Sequence, residues 1–324
     1  MKPREGEVLV RTLEVGVCGT DREISEGLFG APPEHESLLV LGHESLAVVE
    51  RDGYGFTPGQ LVTAIVRRSC GHCLACAEES PDSCLTGDYS ERGITRLDGY
   101  DRELVAEDPK QLIAIPKSLG RHGVLAEPTS ICERALRHSR TIGGRQPWQL
   151  DRALVIGAGA IGLLTTYLLR LADVEVITAS LEPENELVEQ SGAHYVSTKD
   201  NELSGLGTFD LVVEAAGNAQ LMAQSLGLLR RSGVACLLGI DPRKQTVELD
   251  GPVLGVDTIL ENRVLFGSVN ARREDWLAAV ADLEKARQRW PDALEQFVTL
   301  RVPLDRFAEA FEHRAGKATL VLSD

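Results

Sequence analysis

The run Ala153-Leu-Val-Ile-Gly-Ala-Gly-Ala-Ile-Gly-Leu-Leu164 constrains this chain more than any other stretch. Four apolar residues lead into Gly157, Gly159 and Gly162, and an apolar run continues to Leu171. That order predicts a buried parallel strand, a tight turn and a helix. Gly157 permits the sharp turn, Gly159 lets backbone approach a pyrophosphate, and Gly162 lets the helix pack closely on the strand. The helix start at Ala160 and Ile161 then offers free N–H groups and a positive dipole end to phosphate. Glycine turns are common, so the strand before and the helix after carry the reading: dinucleotide binding through Gly157, Gly159, Ala160, Ile161 and Gly162.

Strand and helix patterns alternate around this turn. They fall at Ala153–Ile156, Ile161–Ala172, Val174–Ala179, Glu184–Ser191, Tyr195–Ser197, Phe209–Ala215, Ala219–Arg231 and Val234–Leu238, with a sixth strand at Arg263–Val269. This is the pattern of an α/β, doubly wound parallel sheet. The first hundred residues read differently. Glu7–Gly16, Val40–Val49 and Gln60–Val66 look like strands, separated by turn signals at Ala31-Pro-Pro33, Asp52-Gly53 and Thr57-Pro-Gly59. A β-rich domain with long loops is expected there. Ser130–Arg140 reads as a helix entering the second domain. Glu274–Trp290 reads as a long amphipathic helix, with Trp276, Val280, Leu283 and Arg287 at helical spacing. Arg301–Phe311 reads as a strand and then a helix capped at Asp305, and Ala318–Leu322 as a closing strand. The expected division is a discontinuous domain of residues 1–130 and 271–324, and a dinucleotide domain of 131–270.

The chain has 324 residues, enough for two domains. Asp+Glu number 49 against 34 Lys+Arg, a net charge of −15, which argues against nucleic acid or an anionic membrane as partner. No apolar run reaches transmembrane length and no signal peptide is read, so a cytoplasmic enzyme is expected. Seven cysteines, four clustered and three scattered, read as metal ligands plus free thiols in a reducing compartment. The cluster is Cys70, Cys73, Cys76 and Cys84, two CxxC steps with a fourth thiol. Four thiolates suit tetrahedral zinc, which would hold together a segment with few apolar residues. An iron–sulfur cluster also takes four thiolates but ranks lower, since nothing else suggests electron transfer. His72 reads as a bystander. A looser constellation spans Cys18-Gly-Thr20-Asp21, Gly42-His43-Glu44 and Glu127-Pro128. A thiolate, an imidazole and one or two carboxylates make an open zinc site, although each residue also has an ordinary structural reading.

These motifs resemble the zinc-dependent medium-chain alcohol/polyol dehydrogenase superfamily across nearly the whole chain. More narrowly, Arg11–Asp21, Val40–Glu44, Val124–Ser130 and Phe266–Asn270 resemble its glucose 1-dehydrogenase branch. The resemblance implies a Rossmann domain joined to a β-rich, GroES-like catalytic domain, with the active site in the cleft between them. It implies two zinc ions per chain. The catalytic zinc would be held by Cys18, His43 and Glu127, with Glu44 as an exchangeable ligand, and the structural zinc by the four clustered cysteines. Asp21 would orient His43 and Thr20 would pass the substrate proton outward. Ser180, Glu214, Ala216, Gly239 and Asn270 join the glycine turn as cofactor contacts. Glu91, Glu127, Asn270 and Thr20 would meet the sugar. The implied reaction is oxidation of an aldose, D-glucose at C1 to D-glucono-1,5-lactone, with hydride passing to NADP or NAD. A sorbitol- or threonine-type dehydrogenase is the alternative, and a catalytically silent NAD(P)-binding relative the non-enzyme one. A homo-oligomer, dimer or tetramer, is expected. Both cofactors are expected to serve, with a lean to NADP, because no acid follows the second strand at Ala179-Ser180 and Ser180 can donate to a phosphate. Three departures stand out, the first a loop around Asp52–Phe56 that looks shortened. Ala47 occupies a position usually glycine, and the family's strand pair ahead of Glu7 is missing, which would leave a catalytic-domain edge uncovered.

Overall fold

The structure, a computed structural model, describes residues 3–323. It divides into two compact units. One runs to Ser130 and resumes at Asn270–Arg287 and from Leu294; the other comprises Ile131–Val269 and Gln288–Ala293.

The second unit is built on a six-stranded sheet whose neighbouring strands all run parallel. Across the sheet the strands are His194–Ser197, Glu175–Ser180, Arg152–Ile156, Phe209–Glu214, Leu229–Leu237 and Val264–Gly267. Chain order reverses direction at Arg152–Ile156, so the crevice beyond that strand and Phe209–Glu214 is the switch point where such sheets bind ligands. Ala153–Ile156 is buried because helices cover both faces of a parallel sheet, so an uninterrupted apolar run is required rather than an alternating one. Leu154, Ile156, Phe209, Val212 and Ala235 form the centre of one core cluster. The expected helix Ala219–Arg231 is shorter. It spans Ala219–Ser225, passes through a 3-10 turn at Leu226–Leu228, and gives way to the strand at Leu229. Gly227 weakens the helix there, and Leu229 is fully buried beside Phe209 as a strand partner.

The first unit holds a seven-stranded sheet. Its path is Val298–Pro303, Lys317–Val321, Val8–Val17, Glu44–Val49, Leu61–Ala64 and Leu112–Ala114, and Leu104–Glu107 also pairs with Val8–Val17. Val8–Val17 is therefore no edge: Val8–Arg11 bonds to Leu104–Glu107 on one side, Glu14–Val17 to Lys317–Val321, and Glu44–Val49 lies along the other. The expected exposure at the start of the chain is absent from this strand. Its register slips between Thr12 and Glu14, a bulge that turns Glu14 inward. The predicted strand Val40–Val49 survives only from Glu44, because Gly42 takes φ +94° and Val40–Gly42 bond to Gly99–Asp101 instead. A helix at Ala126–Gly143 starts four residues earlier than expected, fed by a 3-10 run at Gly120–Leu125. Pro128 sits in its first turn, where no N–H is needed. Asp305 does not cap a helix. It lies in a 3-10 turn, Leu304–Arg306, and the helix Phe307–Glu312 follows. Arg273–Arg289 buries Trp276, Ala279, Val280, Leu283 and Ala286 along one stripe. No helix among the described residues is long and apolar enough to cross a membrane.

Candidate active site and dinucleotide cleft

Three local structures in the first unit bring the looser constellation together. Cys18 ends the Val8–Val17 strand and begins the short helix Gly19–Ser25. Its N–H donates to Asp21 Oδ2 at 2.8 Å, so Asp21 is folded back toward the helix start. His43 follows the Gly42 turn and is buried; its Nε2 lies 3.2 Å from Cys18 Sγ and its Nδ1 3.3 Å from Asp21 Oδ1. Glu127 enters on the first turn of the Ala126–Gly143 helix, also buried. Donor atoms of Cys18, Asp21 and His43 lie within 4.8 Å of one another, as do those of His43, Glu44 and Glu127. The structure thus gathers the predicted residues as two overlapping sets that share His43. Thr20 is half-buried on the helix beside them.

Electrostatics follow from packing five ionisable groups, Cys18, Asp21, His43, Glu44 and Glu127, together and largely out of water. Burial pushes the Glu127 carboxyl up to about 7, with Glu44 adding to the shift and His43 opposing it. Burial alone would lower His43, yet Asp21 and Cys18 hold it well above the usual imidazole range. Burial also raises the Cys18 thiol, helped by Asp21. A soft thiolate, an imidazole and carboxylates crowded at this spacing match the donor preferences of zinc, and the ring nitrogen facing Asp21 is held in the manner of a metal-bound histidine.

Sequence reasoning missed one partner. Lys317, buried in the closing strand, places its ammonium against Glu44 Oε2. Gly16 makes room for both: a Cβ there would lie 2.1 Å from the Glu44 carboxylate and 2.8 Å from Lys317 Cε. Pairing across a 273-residue separation leaves no local signal in the sequence. Asp101 was also missed. It packs against Gly42, one of its oxygens is buried without a hydrogen-bond partner, and burial with the nearby Asp21 charge lifts its carboxyl to about 7.

Cys70, Cys73, Cys76 and Cys84 have all four sulfurs within 4.8 Å of one another. Cys76 Sγ is 3.5 Å from Cys73 and 3.9 Å from Cys70, and the Leu85 N–H points at Cys73 Sγ from 3.4 Å. The Thr86 hydroxyl and the His72 backbone N–H hold the Cys70 thiol down at about 5. Four sulfurs converging without a disulfide fit a closed tetrahedral metal site. His72 turns its ring to the Cys70 carbonyl instead.

Glu91 and Asn270, far apart in sequence, meet in this same unit. Asn270 Nδ2 donates to Glu91 Oε1 at 3.3 Å, and Asn270 is buried in a left-handed conformation, φ +70°. The same Glu91 oxygen receives Arg67 at 2.9 Å. Asn270 and Glu91 thus form one hydrogen-bonded pair in the first unit.

In the second unit a cleft of about 1210 Å³ opens at the switch point, lined among others by Gly157, Ser180, Ala216, Asn218 and Leu249. Gly157 has φ +103°, and a Cβ on it would lie 2.8 Å from the Ala216 nitrogen. A Cβ on Gly162 would lie 1.9 Å from the Gly157 carbonyl oxygen, so only glycine lets the helix approach this closely. By contrast, nothing lies within 4 Å of a Cβ built on Gly159, the residue preceding the Ala160–Leu171 helix. Tight backbone behind and open space in front suit a pyrophosphate at the helix start, where Ala160 and Ile161 stand. Glu214, expected to contact cofactor, ends the strand beside that of the glycine turn, opposite Ile156. It is fully buried, and its Oε1 accepts the Ala216 N–H at 3.0 Å and the Asn218 N–H at 3.3 Å, shaping the loop after its strand. Gly239 packs against Gly217 in that loop. Ser180 turns its hydroxyl to Glu182.

Comparison with known proteins agrees with both units. The model of the alcohol dehydrogenase GroES-like domain matches residues 4–117, and that of the glucose dehydrogenase C-terminus matches 120–323. The fold is that of the zinc-type medium-chain dehydrogenases. Within that class the chain belongs to the glucose dehydrogenase family. It is 38% identical to a glucose 1-dehydrogenase of Methanocella arvoryzae, over 96% of this chain and 90% of that protein. To a glucose 1-dehydrogenase of Halobacterium salinarum it is 36% identical, over 98% of this chain and 91% of that one. Among solved structures it resembles the Haloferax mediterranei glucose dehydrogenase in complex with NADP, Zn and gluconolactone. The TM-score is 0.91 and identity 33%, covering 100% of this chain and 94% of that one.

Proposed function

We propose that this chain is an NAD(P)-dependent, zinc-dependent glucose dehydrogenase that oxidises D-glucose at C1 to D-glucono-1,5-lactone. The observation that carries the reading is that Cys18, and separately Glu44 and Glu127, converge on the same buried His43 in a chain of this family. Zinc there supplies a Lewis acid that favours loss of the substrate hydroxyl proton, and the nicotinamide supplies the hydride acceptor. Cys18, His43 and Glu127 hold the metal in this reading. Asp21 orients the His43 ring. Lys317 draws the Glu44 carboxylate aside, and Gly16 keeps the space in which it does so. Thr20 stands where a hydroxyl can relay a proton. Glu91 and Asn270 present a carboxylate and an amide to sugar hydroxyls, each of which costs about 1–3 kcal/mol if buried unpaired. The anomeric hydroxyl is more acidic than that of a simple alcohol, so the first proton leaves readily. Cys70, Cys73, Cys76 and Cys84 hold a second, structural zinc.

Two further points belong to this reading. The work place is the cytoplasm, as reduced cysteines favour. The chain assembles as a homo-oligomer through the outer edge of Val264–Gly267. That strand pairs on one side only, and Leu265, Ile259 and Leu260 are exposed around it.

A panel of glucose, galactose, xylose, sorbitol, threonine and ethanol tests the reaction, each with NAD and with NADP. Turnover of an aldose with release of lactone supports it. Turnover of sorbitol or threonine with every aldose silent would leave the family intact and sink the sugar assignment.

A further inference from the structure

We propose that Ser180 and Glu182 make this chain prefer NAD to NADP, by placing a carboxylate where NADP carries its 2′-phosphate. The inference rests on the dinucleotide reading of the second unit.

Register places the pair. The Glu175–Ser180 strand runs parallel to the glycine-turn strand, Ala179 lies opposite Ile156, and the Gly157 N–H donates to the Ala179 carbonyl at 2.7 Å. Ser180 is thus the next residue out, beside the glycine turn, and it lines the cleft with Leu181. In a dinucleotide fold, the end of this strand meets the adenosine ribose. A carboxylate there accepts from the 2′-hydroxyl, whereas an arginine nearby admits a 2′-phosphate. This chain reads Ser180-Leu-Glu182 at that point.

Three observations decide what the strand end presents. The Ser180 hydroxyl donates to Glu182 Oε2, so the serine is spent on holding the carboxylate back toward the strand end. The segment is pinned from behind: Thr198 donates its N–H to the Ser180 carbonyl at 2.7 Å, and the Tyr195 hydroxyl donates to the Glu182 carbonyl at 2.7 Å. The residues lining the cleft include Glu202, Glu248 and Asp250 but no lysine, arginine or histidine. Lys199 is the nearby cation. It is exposed, and its charge already acts on Glu182, whose carboxyl the Ser180 hydrogen bond and Lys199 both hold below the ordinary range. A phosphate monoester brings between one and two further negative charges at neutral pH. It would meet a fixed carboxylate and an acidic cleft, while a ribose hydroxyl would meet an acceptor. In this proposal the Ser180 proton is given to Glu182 and is not offered to a phosphate.

Equilibrium binding to the intact protein tests this without turnover. NAD and NADP are titrated calorimetrically at fixed ionic strength, together with ADP-ribose and its 2′-phosphate. NAD is expected to bind at least about tenfold tighter than NADP, and ADP-ribose to show the same ratio over its 2′-phosphate. Glu182→Gln should narrow the ratio several-fold, and Glu182→Arg should reverse it. Glu182 is exposed, so both variants should keep the fold. Equal affinity for the two cofactors, or a ratio unmoved by Glu182→Gln, overturns the proposal. Failure of all four ligands to bind would instead overturn the dinucleotide reading on which it stands.

Discussion

Glu127 shows how one carboxylate changes meaning with its surroundings. On sequence it is a residue ahead of a proline; in the fold it is buried against His43 and Glu44. In the zinc-site reading proposed above, Glu127→Ala would remove a metal ligand and loosen the substrate geometry, and misplacement by ~1 Å can cost about a hundredfold. We expect kcat to fall by about that factor with Tm nearly unchanged. An unchanged kcat would return Glu127 to an ordinary helix-start role. Asp101 makes a stability prediction. Its carboxyl is raised to about 7 in the folded chain, against about 3.9 unfolded, so the folded state binds the extra proton between those values. Stability therefore falls as pH rises from about 4 to about 7. Asp101→Asn should remove this loss, stabilising the protein by about 1–3 kcal/mol at pH 8 and by little at pH 4. Denaturant titrations at the two pH values check it. An equal change at both would mean that the effect is steric.

At the scale of elements, the cysteine lobe stands out because it has almost no core. Leu74 and Leu85, its large apolar residues, are both 69% exposed. Its helix, Leu74–Ala77, is one turn long and buries nothing. A segment like this gains little from burial to offset its own conformational entropy, and the proposed structural zinc would supply the difference. Cys76→Ser should lower zinc content from about two per chain to about one and expose residues 69–88 to protease. Dinucleotide binding, which belongs to the other unit, should persist. Elemental analysis, limited proteolysis and cofactor titration report the three effects separately. Retention of both zinc ions would contradict the assignment. The glycine turn is the opposite kind of element. At Gly157 and Gly162 a Cβ would strike backbone, so the turn's geometry was readable from residue type alone.

The whole molecule carries a net charge of −15, and an unpaired sheet edge with exposed apolar residues around it lies in the second unit. Parallel edges are normally covered. If two chains cover each other at Val264–Gly267, Leu265→Lys should bury an unpaired charge and shift the mass in light scattering toward monomer. A mass unaffected by the change would place the interface elsewhere.

What the residues determined alone was whatever depends on local chemistry and spacing. The strand–glycine–helix run, the CxxC steps and the Gly-His-Glu triplet declare themselves because each function needs those residue types a few positions apart. The alternation of apolar strands and helices likewise announced a parallel sheet. Element ends were less legible. Val40–Val49 reads as one strand, yet Gly42 with a positive φ bends it away to meet Gly99–Asp101, and only that bend brings His43 beside Asp21. The inward turn of Glu214, the Glu91–Asn270 hydrogen bond and the Lys317–Glu44 pair were decided by tertiary structure. In each case a charge or amide removed from water must find a partner, and the fold supplies one without regard to distance along the chain.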